Sequence, residues 1–168
     1  MAARNEHTGF RIEPATAADA PVLLAMIKGL AEYERLSHVV VATEAKLRDS
    51  LFGAQPVAEA VIGRAGAEAA GYALYFPIYS TFLAQPGLYL EDLYVEPRWR
   101  GQGLGRRLLA HVAETAVARG CGRLDWSVLD WNEPALRFYR GLGAGPVGDW
   151  TVYRLAGAAL ARLGASGS

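Results

Sequence analysis

The segment Arg98-Trp99-Arg100-Gly101-Gln102-Gly103-Leu104-Gly105-Arg106-Arg107 lies between a strand-like run and the strongest helical pattern of the chain. Glycines let a backbone approach a ligand closely, and a helix N-terminus offers unpaired N–H groups to an anion. Arg106 and Arg107 fall in the first helical turn, where the macrodipole disfavours cations. Four arginines within ten residues at that end of a helix point to a strongly negative ligand; a glycine turn with solvated arginines is the plainer alternative. No Gly-Lys-Ser/Thr follows, which excludes a Walker phosphate loop, and the Gly101-Gly103-Gly105 spacing is not the dinucleotide fingerprint. A second anomaly precedes the loop. Glu91 and Asp92 are adjacent acids in the otherwise apolar run Leu88 to Val95, so strand alternation predicts that they point to opposite faces. Burying an ionised carboxylate without a partner is costly, so either the run is a solvated edge or at least one acid faces a ligand.

The elements that must hold these groups follow from periodicity. Phe10 to Glu13 reads as extended before Pro14. Thr16 and Asp19 resemble a helix-opening cap and first-turn acid. Leu23, Met26, Ile27, Leu30 and Ala31 then share one helical face, and the same stripe continued lands on Glu34. Read alone, Glu34 is a helix-end acid in water. Thr43 caps a short helix over Glu44 to Phe52. Val57 to Arg64 and Ala70 to Phe76 form a hairpin, and Leu88 to Val95 a third strand. Gly103 to Arg119 is a helix closed by Gly120. Arg123 to Leu129 reads as a strand, Asn132 to Leu142 as a helix with Asn132 as its cap, and Thr151 to Leu155 as a last strand before an Ala-rich helix. This order predicts an α/β (α+β) chain with a mixed sheet. Residues 1–9 are expected to be frayed, 10–164 to form one domain and 165–168 a tail.

Arg100-Gly101-Gln102-Gly103-Leu104-Gly105 resembles the Arg/Gln-x-x-Gly-x-Gly/Ala signature of the Gcn5-related N-acetyltransferases (GNAT). Leu30-Ala31-Glu32-Tyr33-Glu34, Tyr89-Leu90-Glu91-Asp92-Leu93-Tyr94-Val95 and Val128-Leu129-Asp130-Trp131-Asn132-Glu133-Pro134 are similar to the spermidine/spermine and thialysine (diamine) branch of that family. The resemblance covers roughly residues 10 to 163. It implies a GNAT fold, a mainly antiparallel central sheet flanked by helices, whose Leu88–Val95 and Arg123–Leu129 strands splay to hold acetyl-CoA. It implies acetyl transfer from acetyl-CoA to a primary amine by direct attack, with no metal.

The same resemblance implies roles residue by residue. Leu93, Tyr94, Val95, Arg100, Gly101, Gln102, Gly103, Leu104, Gly105 and Arg106 would line the cofactor, together with Asn132, Glu133, Pro134, Ala135 and Tyr139. Tyr33, Glu34, Glu91, Asp92, Asp125, Trp126 and Ser127 would face the acceptor, with Trp126 or Phe82 as cation–π partners. Glu91 would be the general base, acting through water, and Tyr139 the proton donor to the departing CoA thiolate. A base is needed because an alkylammonium with a pKa of about 10.4 is almost wholly protonated at neutral pH and cannot attack a thioester. Taken without the resemblance, Tyr139 reads as a core residue. The chain departs from the polyamine pattern at Ser80 and Phe82, where an acid and a tryptophan are found. One fewer carboxylate favours short diamines, thialysine or lysine-like amines over long polycations.

Composition bounds the rest. Seventeen basic and seventeen acidic residues give a net charge of zero, with 52% hydrophobic residues, which argues against disorder and against a general nucleic-acid binder. The one cysteine, Cys121, has no internal disulfide partner, and His7, His38 and His111 lack metal spacing. No apolar run suits a signal peptide or a membrane span. The expectation is a cytoplasmic homodimer acting on a small cationic amine. An aminoglycoside or protein amine acceptor, a non-catalytic acyl-CoA sensor and a nucleotide-binding regulator are the alternatives.

Overall fold

The structure, a computed structural model, describes residues 9–167. Most of the segment 1–9 and the last residue of the 165–168 tail thus lie outside the described residues, as does His7. The chain clusters into two compact units, one ending at Leu129 and one beginning at Asp130.

The first unit carries β1 (Arg11–Pro14), α1 (Ala20–Tyr33), α2 (Glu44–Phe52), β2 (Glu59–Ala65), β3 (Glu68–Ser80), β4 (Gln85–Val95), α3 (Leu104–Ala118) and β5 (Leu124–Trp126). Its five strands form one sheet in sequence order. The first three pairings are antiparallel and β4–β5 is parallel, so the sheet is mixed and mainly antiparallel. Local signals set the helices. Thr43 accepts a hydrogen bond from the Lys46 N–H at the start of α2. Asp19 accepts from both the N–H and the hydroxyl of Thr16, but what opens there is a single 3-10 turn, and α1 begins one residue later. Gly120, at φ 68°, closes α3: the Gly120 and Cys121 N–H groups return to the carbonyls of Val117 and Ala116.

Leu23, Met26, Leu47 and Leu51 from α1 and α2 pack on Ile62, Tyr72 and Tyr94. The opposite sheet face meets α3, whose Leu104, Leu108 and Val112 are fully buried. Leu104 sits directly on two glycines: a Cβ on Gly63 would come within 2.6 Å of its side chain, and one on Gly71 within 3.4 Å. Absent side chains on β2 and β3 thereby fix how closely the first turn of α3 approaches the sheet.

The second unit holds α4 (Glu133–Arg140) and α5 (Gly157–Ala165). Asn132 caps α4, its side-chain oxygen accepting from the Ala135 N–H at 3.4 Å. The strand expected over Thr151 to Leu155 is absent. A strand exists only as a pairing, and among the described residues this unit has no second strand; Val152 and Tyr153 are left 87% and 92% exposed. The strand expected over Arg123 to Leu129 shrinks to Leu124–Trp126 for a related reason: its pairing with β4 stops at Leu90.

Candidate active site

The register of β4 changes at one residue. Leu74 pairs with Asp92 and Tyr75 with Leu90, so Glu91 is an extra residue, a β-bulge. Leu88 and Leu90 therefore lie on the α3 face while Asp92 and Tyr94 lie on the α1 face. The strict alternation expected across Glu91 and Asp92 does not hold. Glu91 stands exposed at the bulge and Asp92 turns inward, accepting a hydrogen bond from the Tyr72 hydroxyl at 2.8 Å. Burial pushes the Asp92 carboxyl up to about 6; the Tyr72 hydrogen bond opposes the rise, and the charges of Glu91 and Glu34 add to it. Glu34 follows the last residue of α1 and is half-buried, and burial raises its carboxyl too. The three acids Glu34, Glu91 and Asp92 thus share one electrostatic neighbourhood. With Asp92 on the α1 face stand Phe76 and Tyr89, whose rings stack at 5.3 Å, and Ser127, whose hydroxyl lies 2.6 Å from that of Tyr89.

Beyond Leu90 and Trp126 the two strands have no further pairing, although β4 continues to Val95. This is the splay that the family resemblance implies, and it leaves the outer edge of β4 around Leu93 and Tyr94 without a strand partner among the described residues. The chain then turns through Arg100 to Gly105 into α3. Gly101 and Gly103 adopt φ values of 73° and 86°, the left-handed region that disfavours side chains. No side chain caps α3 among the described residues, and the first intrahelical bond is that of the Arg107 N–H to the Gly103 carbonyl at 3.1 Å, so the N–H groups of Leu104, Gly105 and Arg106 have no intrahelical acceptor. Nothing lies within 4 Å of where a Cβ on Gly101 or Gly103 would stand. An open backbone cradle on a 15-residue helix, with Arg106 and Arg107 exposed beside it, fits a pyrophosphate-bearing ligand.

Several expected site residues are differently employed. The Arg98 guanidinium pairs with Glu68 and lies over the Trp99 ring. Arg100, though exposed, folds back on the chain: its Nε donates to the Val95 carbonyl at 2.8 Å, and its guanidinium rests 5.0 Å from the Tyr33 ring and 5.7 Å from that of Tyr94. Two of the four arginines thus also brace the loop, and Arg106 and Arg107 stand exposed beside it. Gln102 likewise donates back to the Arg98 carbonyl. Asp125 is paired with Arg123 at 2.8 Å. Strand alternation separates Trp126 from Asp125 and Ser127, so the three do not face one way. Phe82, 93% exposed, sits in the β3–β4 turn, roughly 25 Å along the hairpin from the Leu74–Asp92 pair, and is no cation–π partner there. Ser80 is buried and accepts from the Leu83 N–H, serving that same turn. In the second unit, Glu133, Pro134 and Ala135 form the first turn of α4, and Tyr139 lies near its end with its ring 5.2 Å from that of Phe138.

Residues 27–144 match the family model described as the Acetyltransferase (GNAT) family. The chain belongs to the GNAT acetyltransferase family. It is 38% identical over 164 residues to a thialysine N-epsilon-acetyltransferase of Mus musculus, covering 91% of this chain and 96% of that protein. It is 31% identical to an L-ornithine N5-acetyltransferase of Arabidopsis thaliana, covering 89% and 86% of the two chains. Among solved structures, an integron cassette protein of Vibrio cholerae superposes with a TM-score of 0.78 at 24% identity, over 92% of this chain and 97% of that one, which shows the shared fold. The GNAT acetyltransferase thus carries its acids and its glycine loop on the fold that its sequence predicts.

Among the residues that sequence reasoning did not single out, Tyr72 touches one of the acids, Asp92, directly. Its signal is weak, a tyrosine among the apolar residues of β3 with a second buried tyrosine, Tyr75, three residues on. That becomes informative only once Asp92 is known to lie across from it.

Proposed function

We propose that this acetyltransferase moves the acetyl group of acetyl-CoA to the primary amine of a small cationic acceptor, of the short diamine, thialysine, ornithine or lysine-like class. The observation that carries this reading is the grouping of Glu34, Glu91 and Asp92 at the bulge of β4, on the strand whose open edge leads into the glycine loop. Acids held in partly buried surroundings attract an alkylammonium more strongly than acids in water would. Three acids, with Asp125 already paired to Arg123, suit a short acceptor better than a long polycation. The relatives that act on thialysine and ornithine support the same class.

Acetyl-CoA, when bound, supplies a thioester as the activated acyl donor. Gly101, Gly103, Gly105 and the first-turn N–H groups of α3 would hold its pyrophosphate, with Arg106 beside them. A backbone N–H on the β4 edge, near Leu93 or Tyr94, would be the donor for the thioester carbonyl oxygen. Asp92 and Glu34 receive the acceptor's ammonium. Glu91, exposed to water, takes its proton through a water molecule, and Tyr139 is assigned the return of a proton to sulfur. Holding two reactants in one site accounts for most of the acceleration expected of such a direct transfer. The exposed Val152, Tyr153 and Leu163 of the second unit support a homodimer as the working form, and the lone free Cys121 is compatible with a reducing, cytoplasmic setting.

The test is an acceptor screen that follows thiol release from acetyl-CoA with thialysine, lysine, ornithine, short diamines, spermidine, spermine and an aminoglycoside. Highest kcat/KM on the short amines is expected. Preference for spermine or the aminoglycoside would overturn the substrate class, and no turnover with any amine would overturn the reading as a whole.

A further inference from the structure

Tyr72 is wholly buried on β3, among Leu23, Met26, Ile62 and Tyr94, yet its hydroxyl is spent on one group, Asp92 Oδ2. Burial drives the Tyr72 phenol far above its ordinary range, so it carries its proton, and can donate it, at every working pH. The groups that act on Asp92 come from three elements: Tyr72 from β3, Glu34 from the end of α1, and Glu91 from β4 itself. Tyr94 stands beside Tyr72 on the same face, their rings 6.2 Å apart, with the Arg100 guanidinium on its other side. Both neighbouring acids oppose a charge on Asp92. The Tyr72 hydroxyl favours it. Asp92 Oδ1 accepts no hydrogen bond among the described residues.

We propose that Tyr72 is a positioning residue for acceptor recognition: by donating to Oδ2 it fixes the Asp92 carboxylate in one orientation and leaves Oδ1 to receive the acceptor's ammonium. The proposal rests on the small-amine reading above. A phenylalanine would fill the same space, so what position 72 adds is the donor. Without it, Asp92 keeps its proton to higher pH and presents a neutral acid where a cation must bind. The same donor selects by charge, because a site held anionic recognises a protonated amine and rejects neutral isosteres.

The experiment compares the parent with Tyr72→Phe. First, the Asp92 carboxyl is titrated by 13C NMR with no substrate present. Its midpoint is expected to rise by about one pH unit in the variant; an unmoved midpoint overturns the proposal whatever the acceptor. Second, with the best amine of the screen, the acid limb of kcat/KM should move up by the same amount while KM for acetyl-CoA stays within about twofold. In an Asp92→Asn background, Tyr72→Phe should then change neither quantity further. Equal losses in both backgrounds, or a large rise in KM for acetyl-CoA, would make Tyr72 merely structural and overturn the proposal. A shifted titration with no amine accepted defeats the small-amine reading, and recognition by Asp92 with it. Should Tyr72→Phe not fold, Asp92→Glu, which displaces the carboxylate from the hydroxyl, carries the same test and should raise KM for the amine.

Discussion

An ionised Asp92 costs the fold something that a protonated Asp92 does not. Its carboxyl, at 3.8 in a free chain, sits at about 6 in the folded protein. Between those values the folded state binds more protons than the unfolded one, so stability falls as pH rises through that window and the full penalty stands above it. Asp92→Asn, which keeps an acceptor for the Tyr72 hydroxyl, should therefore be more stable than the parent at pH 7.5, by up to about 3 kcal/mol. The gain should vanish by pH 4, while KM for the amine rises. Thermal melts at the two pH values check this, and an equal gain at both would assign it to packing instead of charge. The anomaly of two acids in an apolar strand was legible from Glu91 and Asp92 alone. Their orientation was not, since it depends on a bulge, and the contact with Tyr72 joins residues twenty apart in sequence. One trace did exist: the aliphatic residues slip phase from Leu88 and Leu90 to Leu93 and Val95.

Helices and strands differed in how well they could be read. The limits of α2 follow from Thr43 and a short apolar pattern, both local, and they coincide with the expected Glu44 to Phe52. The segment at 151–155 has strand-like residues but no partner edge within its unit, and pairing is not written in the residues of one strand. The arginine cluster was legible as a set, yet the stacking of Arg100 on Tyr33 and Tyr94 was not, because those rings arrive from two other elements. Gly103 lies where element and ligand meet. At φ 86° it must stay in a conformation that costs an L-residue roughly 1–2 kcal/mol. Gly103→Ala should lose about that much stability in denaturant melts. It should also raise KM for acetyl-CoA several-fold, with KM for the amine unchanged. A rise in the amine KM alone would remove the loop from the cofactor.

Over the whole molecule, the buried acids of the site and the paired acids of the frame respond to pH in opposite senses. Hydrogen bonds from Arg11 and Arg64 hold Glu13 below the usual carboxylate range, and Arg119 does the same for Glu59. Burial pushes Asp19 up, but hydrogen bonds from Thr16 and Arg64 outweigh it. Folded values below the unfolded ones mean that this stability is present above about pH 4.5 and is lost as pH falls through the depressed values. Glu34 and Asp92 act the other way on the neutral side. Thermal stability should peak near pH 5, about two units or more below the pH at which amine acetylation runs best. A melting profile from pH 3 to 9 measures it, and a maximum at pH 8 would mean that the buried acids carry no penalty.

Glu91 does one thing that no side chain could do in its place. A strand is a two-state pattern in which odd and even positions belong to different layers. The bulge exchanges that parity half-way along β4. Residues before it are written in one reading frame and residues after it in the other, so Leu90 and Asp92, two apart, are assigned to opposite sides of the sheet. A substitution at 91 edits one letter. Ironing the bulge out while residue 91 is kept in the ladder would be a frameshift in three dimensions, carrying Asp92 and Tyr94 into the layer of α3 and Leu93 and Val95 out of it, whereas removing the residue would leave both frames as they are. What the fold preserves at this point of the chain is therefore a residue held outside the ladder, whatever its kind.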